Sequence, residues 1–174
     1  MARRRIAVIS TGGTIEKTYD EFQGVLENQR SVLDVMLASL QLEGAELVRV
    51  HLMNKDSLEM SDADHTLIAE TAGSMAAIHD GVLIVHGTDT LTVTGERVVE
   101  LLGCPRVPVV LTGAMRPYIL RNTDALQNLT EALVAAQFLA PGVWAVIHNQ
   151  VLRFPGVTKD RQRGTFRAAQ QAEA

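Results

Sequence analysis

The sequence predicts an α/β fold: a single domain built as a three-layer sandwich, with a mostly parallel sheet flanked by helices. Three observations carry that expectation. Five short apolar runs recur along the 174 residues, at 6–10, 45–52, 81–87, 107–113 and 143–149. Segments with helical spacing of apolar residues lie between them. The third and fourth runs, GVLIVHG and VPVVLTG, are nearly continuous in Val, Ile and Leu, as expected of strands buried on both faces. Alternation of strand and helix gives a parallel sheet with helices on both sides.

The elements follow in order. IAVIS (6–10) is the first strand and runs into Thr11-Gly12-Gly13-Thr14. Ser31 to Leu42 places Val32, Leu33, Met36, Leu37 and Leu40 on one side of a helix. AELVRVHL (45–52) is the second strand. Ser61 opens the next helix with Asp64 three residues on, a capping-box pattern. In that helix Leu67, Ile68, Ala72, Met75 and Ile78 share one face. The third run leads to a helix from Thr90 to Leu102, stopped by Gly103 and Pro105. The fourth leads to a helix from Asp124 to Leu139, with Leu126, Leu129, Leu133 and Ala136 in helical spacing and Pro141 and Gly142 as its stop. VWAVIHN (143–149) is the fifth strand. Residues 1–167 read as the domain and 168–174, AAQQAEA, as a loose tail.

Composition narrows the function. Hydrophobic residues make up 47% of the chain and charged residues 21%, a globular balance. A net charge of −4 argues against a nucleic-acid partner. The single cysteine, Cys104, cannot form an intrachain disulfide. The basic start MARRRIAVIS is followed by an apolar run too short for a signal peptide, and no segment is long enough to cross a bilayer. The expectation is a cytoplasmic protein with no membrane partner.

In parallel sheets ligands bind beyond the carboxyl ends of the strands. There the sequence places Thr11-Gly12-Gly13-Thr14, Asn54-Lys55-Asp56-Ser57, Gly87-Thr88-Asp89-Thr90 and Thr112-Gly113-Ala114. Each piece alone fits a turn or a cap. Four together tilt toward a polar active site.

Several chemistries drop out. A dinucleotide fingerprint needs three spaced glycines, and a P-loop needs Gly-Lys-Ser/Thr. Neither occurs, and Glu16 would repel a phosphate. The five histidines, His51, His65, His79, His86 and His148, have no ligand spacing, so no metal is expected. His86 is the one singled out, because it abuts Gly87-Thr88-Asp89. No Gly-x-Ser-x-Gly elbow is present. Threonine remains, with Thr14 and Thr88 each following a glycine at a strand end. Its hydroxyl needs a neighbouring base, either a carboxylate or a lysine.

TGGTI (11–15) and HGTDTL (86–91) resemble the two signature segments of the bacterial-type L-asparaginases. LTGAMRP (111–117) and NQVLRFPGVTKDRQRGTF (149–166) extend the likeness, which covers nearly the whole chain but only the family's N-terminal domain, as in its short-chain forms. The resemblance implies an amidohydrolase that needs no cofactor and releases ammonia from L-asparagine. Thr14 would be the nucleophile, and Tyr19 would belong to the mobile lid that activates it. Thr88, Asp89 and Lys159 would form a second constellation, with Lys159 drawing protons and Asp89 also holding the α-ammonium. Ser57 would bind the α-carboxylate, and the Ala114 carbonyl would orient the leaving amide. Gly13 and Gly87 would let substrate lie against the backbone, and main-chain donors near Thr88 would form the oxyanion hole.

Two departures stand out. Ser57-Leu58-Glu59 replaces a common Ser-Gln, which removes one polar substrate contact, and the groups of a partner's C-terminal domain are missing. Other readings are an amidase preferring glutamine or another small aspartyl amide, or a non-catalytic amino-acid-binding module. A homo-oligomer is expected, a tetramer before a dimer, with Trp144, Phe154, Phe166 and the helix from Asp124 to Leu139 as candidate surface.

Overall fold

The computed structural model describes residues 3–169. Along the chain run β1 (Arg4–Gly12), β2 (Thr18–Asp20), β3 (Val25–Glu27), α1 (Leu33–Ala38), β4 (Ala45–Lys55), α2 (Asp62–Ala76) and β5 (Gly81–Val85). There follow α3 (Leu91–Leu102), β6 (Pro108–Thr112), α4 (Ala125–Phe138), β7 (Gly142–Ile147), β8 (Gln150–Arg153), β9 (Val157–Asp160) and β10 (Thr165–Ala168). Six strands make one sheet in the order β4-β1-β5-β6-β7-β8, parallel throughout except for β8. All five apolar runs are strands of this sheet.

Side chains alternate across a strand, so the buried strands feed two cores. Ile6 and Val8 of β1 join Leu83, Val110, Met36, Leu129 and Leu133 on the α1/α4 side. Ala7 and Ile9 join Ile84, Leu111, Ile68, Ala72 and Val98 on the α2/α3 side. Every residue of β5 and β6 is buried, which explains why these two runs carry no polar alternation. No helix among the described residues is long and apolar enough to cross a membrane.

The structure corrects several details. α1 has six residues rather than twelve, because the Ser39 hydroxyl donates to the Met36 carbonyl at 2.6 Å and closes the last turn. α2 starts at the expected capping box on Ser61 and Asp64, but Leu67 and Ile78 are exposed. The small residues Ala69, Ala72 and Ala76, together with Ile68 and His65, form its inner face, and Ile78 lies past its end. Phe154 and Phe166 are buried in the α2/α3 core and offer no surface to a partner. Phe154 packs where a side chain on Gly95 would sit, 2.2 Å from its ring. Trp144 is partly buried against the α1/α4 core and has Arg153 over its ring at 5.4 Å.

Three hairpins, β2–β3, β7–β8 and β9–β10, go beyond the sequence expectation. The second turns on His148 and Asn149, both with positive φ, as a two-residue hairpin requires. β10 ends at Ala168, and residues 170–174 of the expected tail lie outside the described residues.

Candidate active site

The ends of four parallel strands meet through backbone contact. Gly12 and Gly13 have φ of +100° and +82°, conformations that glycine alone adopts freely. Gly13 donates its N–H to the Lys55 carbonyl at 2.8 Å, tying the exit of β1 to that of β4. A Cβ on Gly13 would fall 2.3 Å from the Cα of Gly87, and one on Gly87 would fall 2.5 Å from Ser57 Oγ. A Cβ on Gly113 would meet the His86 carbonyl at 2.3 Å. The absence of side chains lets these turns touch, and Thr14, Ser57 and Thr88 are gathered as a result.

Thr88 is only 4% exposed. Lys159, on β9, donates to Thr88 Oγ1 at 2.9 Å and to Asp89 Oδ1 at 3.0 Å. The β9–β10 hairpin delivers this lysine: Phe166 pairs with Lys159 in the ladder and is itself fully buried, which pins the strand. Thr88, Asp89 and Lys159 are thus together. A fourth group that the sequence reading missed, Arg161, donates from Nη1 to Asp89 Oδ1 at 3.0 Å.

His86 is fully buried behind this turn. Its Nδ1 lies 2.8 Å from the Gly87 carbonyl, which can only accept, so that nitrogen carries the hydrogen. Nε2 then accepts from Thr94 Oγ1 at 2.7 Å, and Thr94 accepts from His65 Nδ1 at 2.7 Å. The two rings stack with centroids 6.1 Å apart. Burial pushes His86 down to about 4 and also lowers His65, so both rings are neutral near pH 7. Thr94 and His65 sit in separate helices, and no local sequence signal joins them to His86.

The first threonine differs. Thr14 opens a 3-10 turn, Thr14–Glu16, and is half-buried. Among the described residues its hydroxyl makes no side-chain hydrogen bond, in contrast to the neighbouring Lys17 and Asn28. Tyr19 lies on β2 opposite Leu26, is 60% exposed, and is not brought onto Thr14. The β2–β3 hairpin stands on two polar feet. Lys17 pairs with Asp56 at 2.6 Å, and its hydrogen bond holds that carboxyl below the usual range. Asn28 donates to the Gly13 carbonyl at 2.9 Å and to Asn54 Oδ1 at 3.2 Å. A polar cavity of about 330 Å³ lies beside these feet, lined in part by Lys17, Leu26, Asn54 and Glu59. Glu16, next to Thr14, is buried, and burial raises its carboxyl above the ordinary range.

Ser57 is buried on a 3-10 turn, and its carbonyl accepts from Thr90 Oγ1 at 2.9 Å. Ala114 is fully buried in a segment held from behind. Asn128 donates to the Gly113 carbonyl at 2.9 Å, and Asp124 accepts from the Met115 and Arg116 N–H groups at 3.0 and 2.9 Å. Burial opposes the charge on Asp124, but those N–H groups and His148 at 2.7 Å outweigh it and lower its pKa. An apolar groove of about 430 Å³ between α4 and the β7–β8 hairpin shares none of these residues.

Comparison with known proteins agrees with this architecture. Residues 5–173 match the family model described as asparaginase, N-terminal. The chain is 32% identical over 164 residues to an L-asparaginase of Thermococcus kodakarensis, covering 92% of this chain and 49% of that protein. It is 34% identical over 145 residues to the D component of glutamyl-tRNA(Gln) amidotransferase from Haloquadratum walsbyi, covering 82% of this chain and 33% of that one. Among solved structures, the thermostable L-asparaginase from Thermococcus kodakarensis matches with a TM-score of 0.82 at 30% identity, covering 94% of this chain and 51% of that one. L-asparaginase I from Vibrio cholerae matches with a TM-score of 0.78 at 26% identity, covering 96% and 52%. The chain spans about half the length of these asparaginases and about a third of the amidotransferase component. With the N-terminal model matched from residue 5 to residue 173, the chain belongs to the asparaginase family of amidohydrolases.

Proposed function

We propose that this domain hydrolyses the side-chain amide of L-asparagine to L-aspartate and ammonia through an ester on Thr14. The observation that carries the reading is the lysine contact: Nζ of Lys159 lies 2.9 Å from Thr88 Oγ1 and 3.0 Å from Asp89 Oδ1. A pure binding module has no use for a threonine paired with a base.

In this scheme Thr14 Oγ1 attacks the amide carbon, and main-chain N–H groups near Thr88 receive the developing oxyanion. The C–N bond then breaks and ammonia leaves with the proton taken from the nucleophile. Water attacks the ester carbon as its proton passes through Thr88 to Lys159, the acyl–Oγ1 bond breaks to release L-aspartate, and a proton returns to Thr14. Tyr19 reaches Thr14 by movement of the β2–β3 hairpin. Ser57 and Asp89 hold the amino-acid end, and the Ala114 carbonyl orients the amide.

Ammonia release from L-asparagine, with slower release from L-glutamine, is the test. No ammonia from either amide at high substrate over a broad pH range sinks the reading. Affinity for free asparagine is expected to be weak, because Leu58 offers no hydrogen bond. We place the protein in the cytoplasm as a homo-oligomer, a tetramer before a dimer. Exposed Val134, Phe138 and Val151 lining the apolar groove are the surface for a second copy. Light scattering decides that point, and a fully active monomer would overturn it.

A further inference from the structure

We infer that His148 is a positioning residue for the amidase site: it fastens the turn that carries the Ala114 carbonyl to the hairpin that carries Lys159. The inference rests on the amidase reading above and adds what holds two of its working groups at a fixed spacing.

The two elements come from separate parts of the chain, and among the described residues no hydrogen bond joins 113–116 directly to the β9–β10 hairpin. A relay of side chains does so instead. Asp124 accepts from the N–H groups of Met115 and Arg116, and Asn128 donates to the Gly113 carbonyl and to Asp124 Oδ2, at 2.9 Å each. His148 Nε2 lies 2.7 Å from that same Oδ2. The ionised carboxylate can only accept, so Nε2 carries a hydrogen. On the other side of the ring, Nδ1 lies 3.0 Å from Thr165 Oγ1 on β10. Thr165 Oγ1 accepts from Gln150 Nε2 at 3.0 Å, which leaves its own hydrogen to point at Nδ1 of the neutral ring. β10 in turn pairs with β9, where Phe166 stands opposite Lys159. The bridge is continuous.

The backbone shows that the ring is the reason for histidine here. His148 and Asn149 form the β7–β8 turn with φ of +52° and +59°. Such turns favour Asn, Asp or Gly at both central positions, so local geometry does not ask for histidine. The His148 N–H is spent on Asn128 Oδ1 at 3.0 Å, a bond that any residue but proline would make. What the ring adds is the pair of contacts to Asp124 and Thr165, 24 and 17 residues away. Among the described residues it makes no hydrogen bond to Thr14, Ser57, Thr88 or Lys159, so it acts through its neighbours. Spacing matters at this scale: a misplacement of ~1 Å costs on the order of 10²-fold in rate.

Steady-state ammonia release from L-asparagine and L-glutamine, measured on the wild type, His148→Gly, His148→Asn and Thr165→Val, tests this. Glycine suits the turn and removes both ring contacts. Asparagine also suits the turn and keeps a polar group toward Thr165, but is too short for Asp124. Valine removes only the Thr165 hydroxyl. His148→Asn should raise KM for asparagine and narrow its preference over glutamine, because the Ala114 carbonyl is loosened. Thr165→Val should lower kcat with KM unchanged, because the strand of Lys159 is loosened. Each effect should be roughly 3- to 10-fold, the scale of one hydrogen bond, and His148→Gly should show both. A role in stability alone would cut kcat in proportion to the folded fraction in all three variants. KM and the substrate ratio would then stay put, and that result overturns the inference. Wild-type kinetics in His148→Gly overturn it too. If His148→Gly fails to fold, the two single-contact variants still decide, since the split between KM and kcat is read from them. A wild type that releases no ammonia from either amide defeats the amidase reading and this inference with it. An active wild type with unmoved variants defeats this inference alone.

Discussion

The two threonines that leave the sheet stand in opposite states. Thr88 is buried, bonded to Lys159, and backed by the His86–Thr94–His65 chain. Thr14 is half-buried and has no side-chain hydrogen bond among the described residues. One corner is finished by the protein before substrate arrives. The other is placed by the glycine turn alone. Polar groups that handle protons are costly to leave loose in a buried setting, so they are wired in advance. A nucleophile gains from having no competing partner in the resting state.

The largest expected effect separates chemistry from stability. Thr14→Ala and Lys159→Met should each lower kcat at least ~10²-fold, as loss of an aligned nucleophile or base does. Only Lys159→Met should also lower the melting temperature, because it alone breaks hydrogen bonds present without substrate. Equal melting shifts in the two variants would erase the asymmetry.

Next comes pH. His86 titrates at about 4 in the fold against 6.5 for the free side chain. The unfolded chain therefore binds more protons between those values, and stability rises with pH across that window. The size is roughly 3 kcal/mol, gained as pH climbs from about 4 to about 6.5. Denaturant melts over this range should show the slope in the wild type and a flatter one in His86→Phe. A wild type with flat stability there would show that the chain behind Thr88 is not held neutral.

Gly13→Ala attacks the contact that joins the corners. Its new Cβ would sit 2.3 Å from Gly87 Cα at a φ of +82°, a cost of about 2 kcal/mol or more. Urea denaturation measures it, and a shift below ~0.5 kcal/mol would mean the turns are less tightly opposed. Smallest is Lys17→Met, which removes one foot of the hairpin. A partly exposed ion pair of this kind contributes up to ~1 kcal/mol, so KM should change a few-fold while Thr88-side stability stays fixed. A loss of kcat comparable to that of Lys159→Met would place Lys17 in the chemistry instead.

β5 and β6 were legible because burial on both faces leaves an unbroken apolar signature, β1, β4 and β7 because each is a short apolar run, and the helices because their apolar residues repeat at about 3.6 residues. The three hairpins were not. β2, β3 and β9 are three or four residues long, and the last carries Thr158, Lys159 and Asp160, too polar and short for a period to show. Phe154 and Phe166 were misjudged as surface because their burial depends on Gly95 and on the β9–β10 fold-back, both tertiary facts. At the site, residues on the signature turns could be read from the chain. Arg161 and Thr94 could not, since Arg161 meets Asp89 across 72 residues and Thr94 joins His86 to His65, which lies 29 residues away on another helix.

The glycine contacts have a mechanical consequence. Gly13 abuts the Gly87 backbone, Gly87 abuts the short Ser57 side chain, and Gly113 abuts the His86 carbonyl. These turns cannot slide past one another, so the floor of the cleft is a single stiff plate. The β2–β3 hairpin beside it is held differently, by side-chain hydrogen bonds at Lys17 and Asn28. Replacing the first of these contacts with a covalent one, for instance a disulfide between cysteines placed at positions 17 and 56, should slow turnover if the hairpin moves as proposed, while leaving the plate beneath it undisturbed.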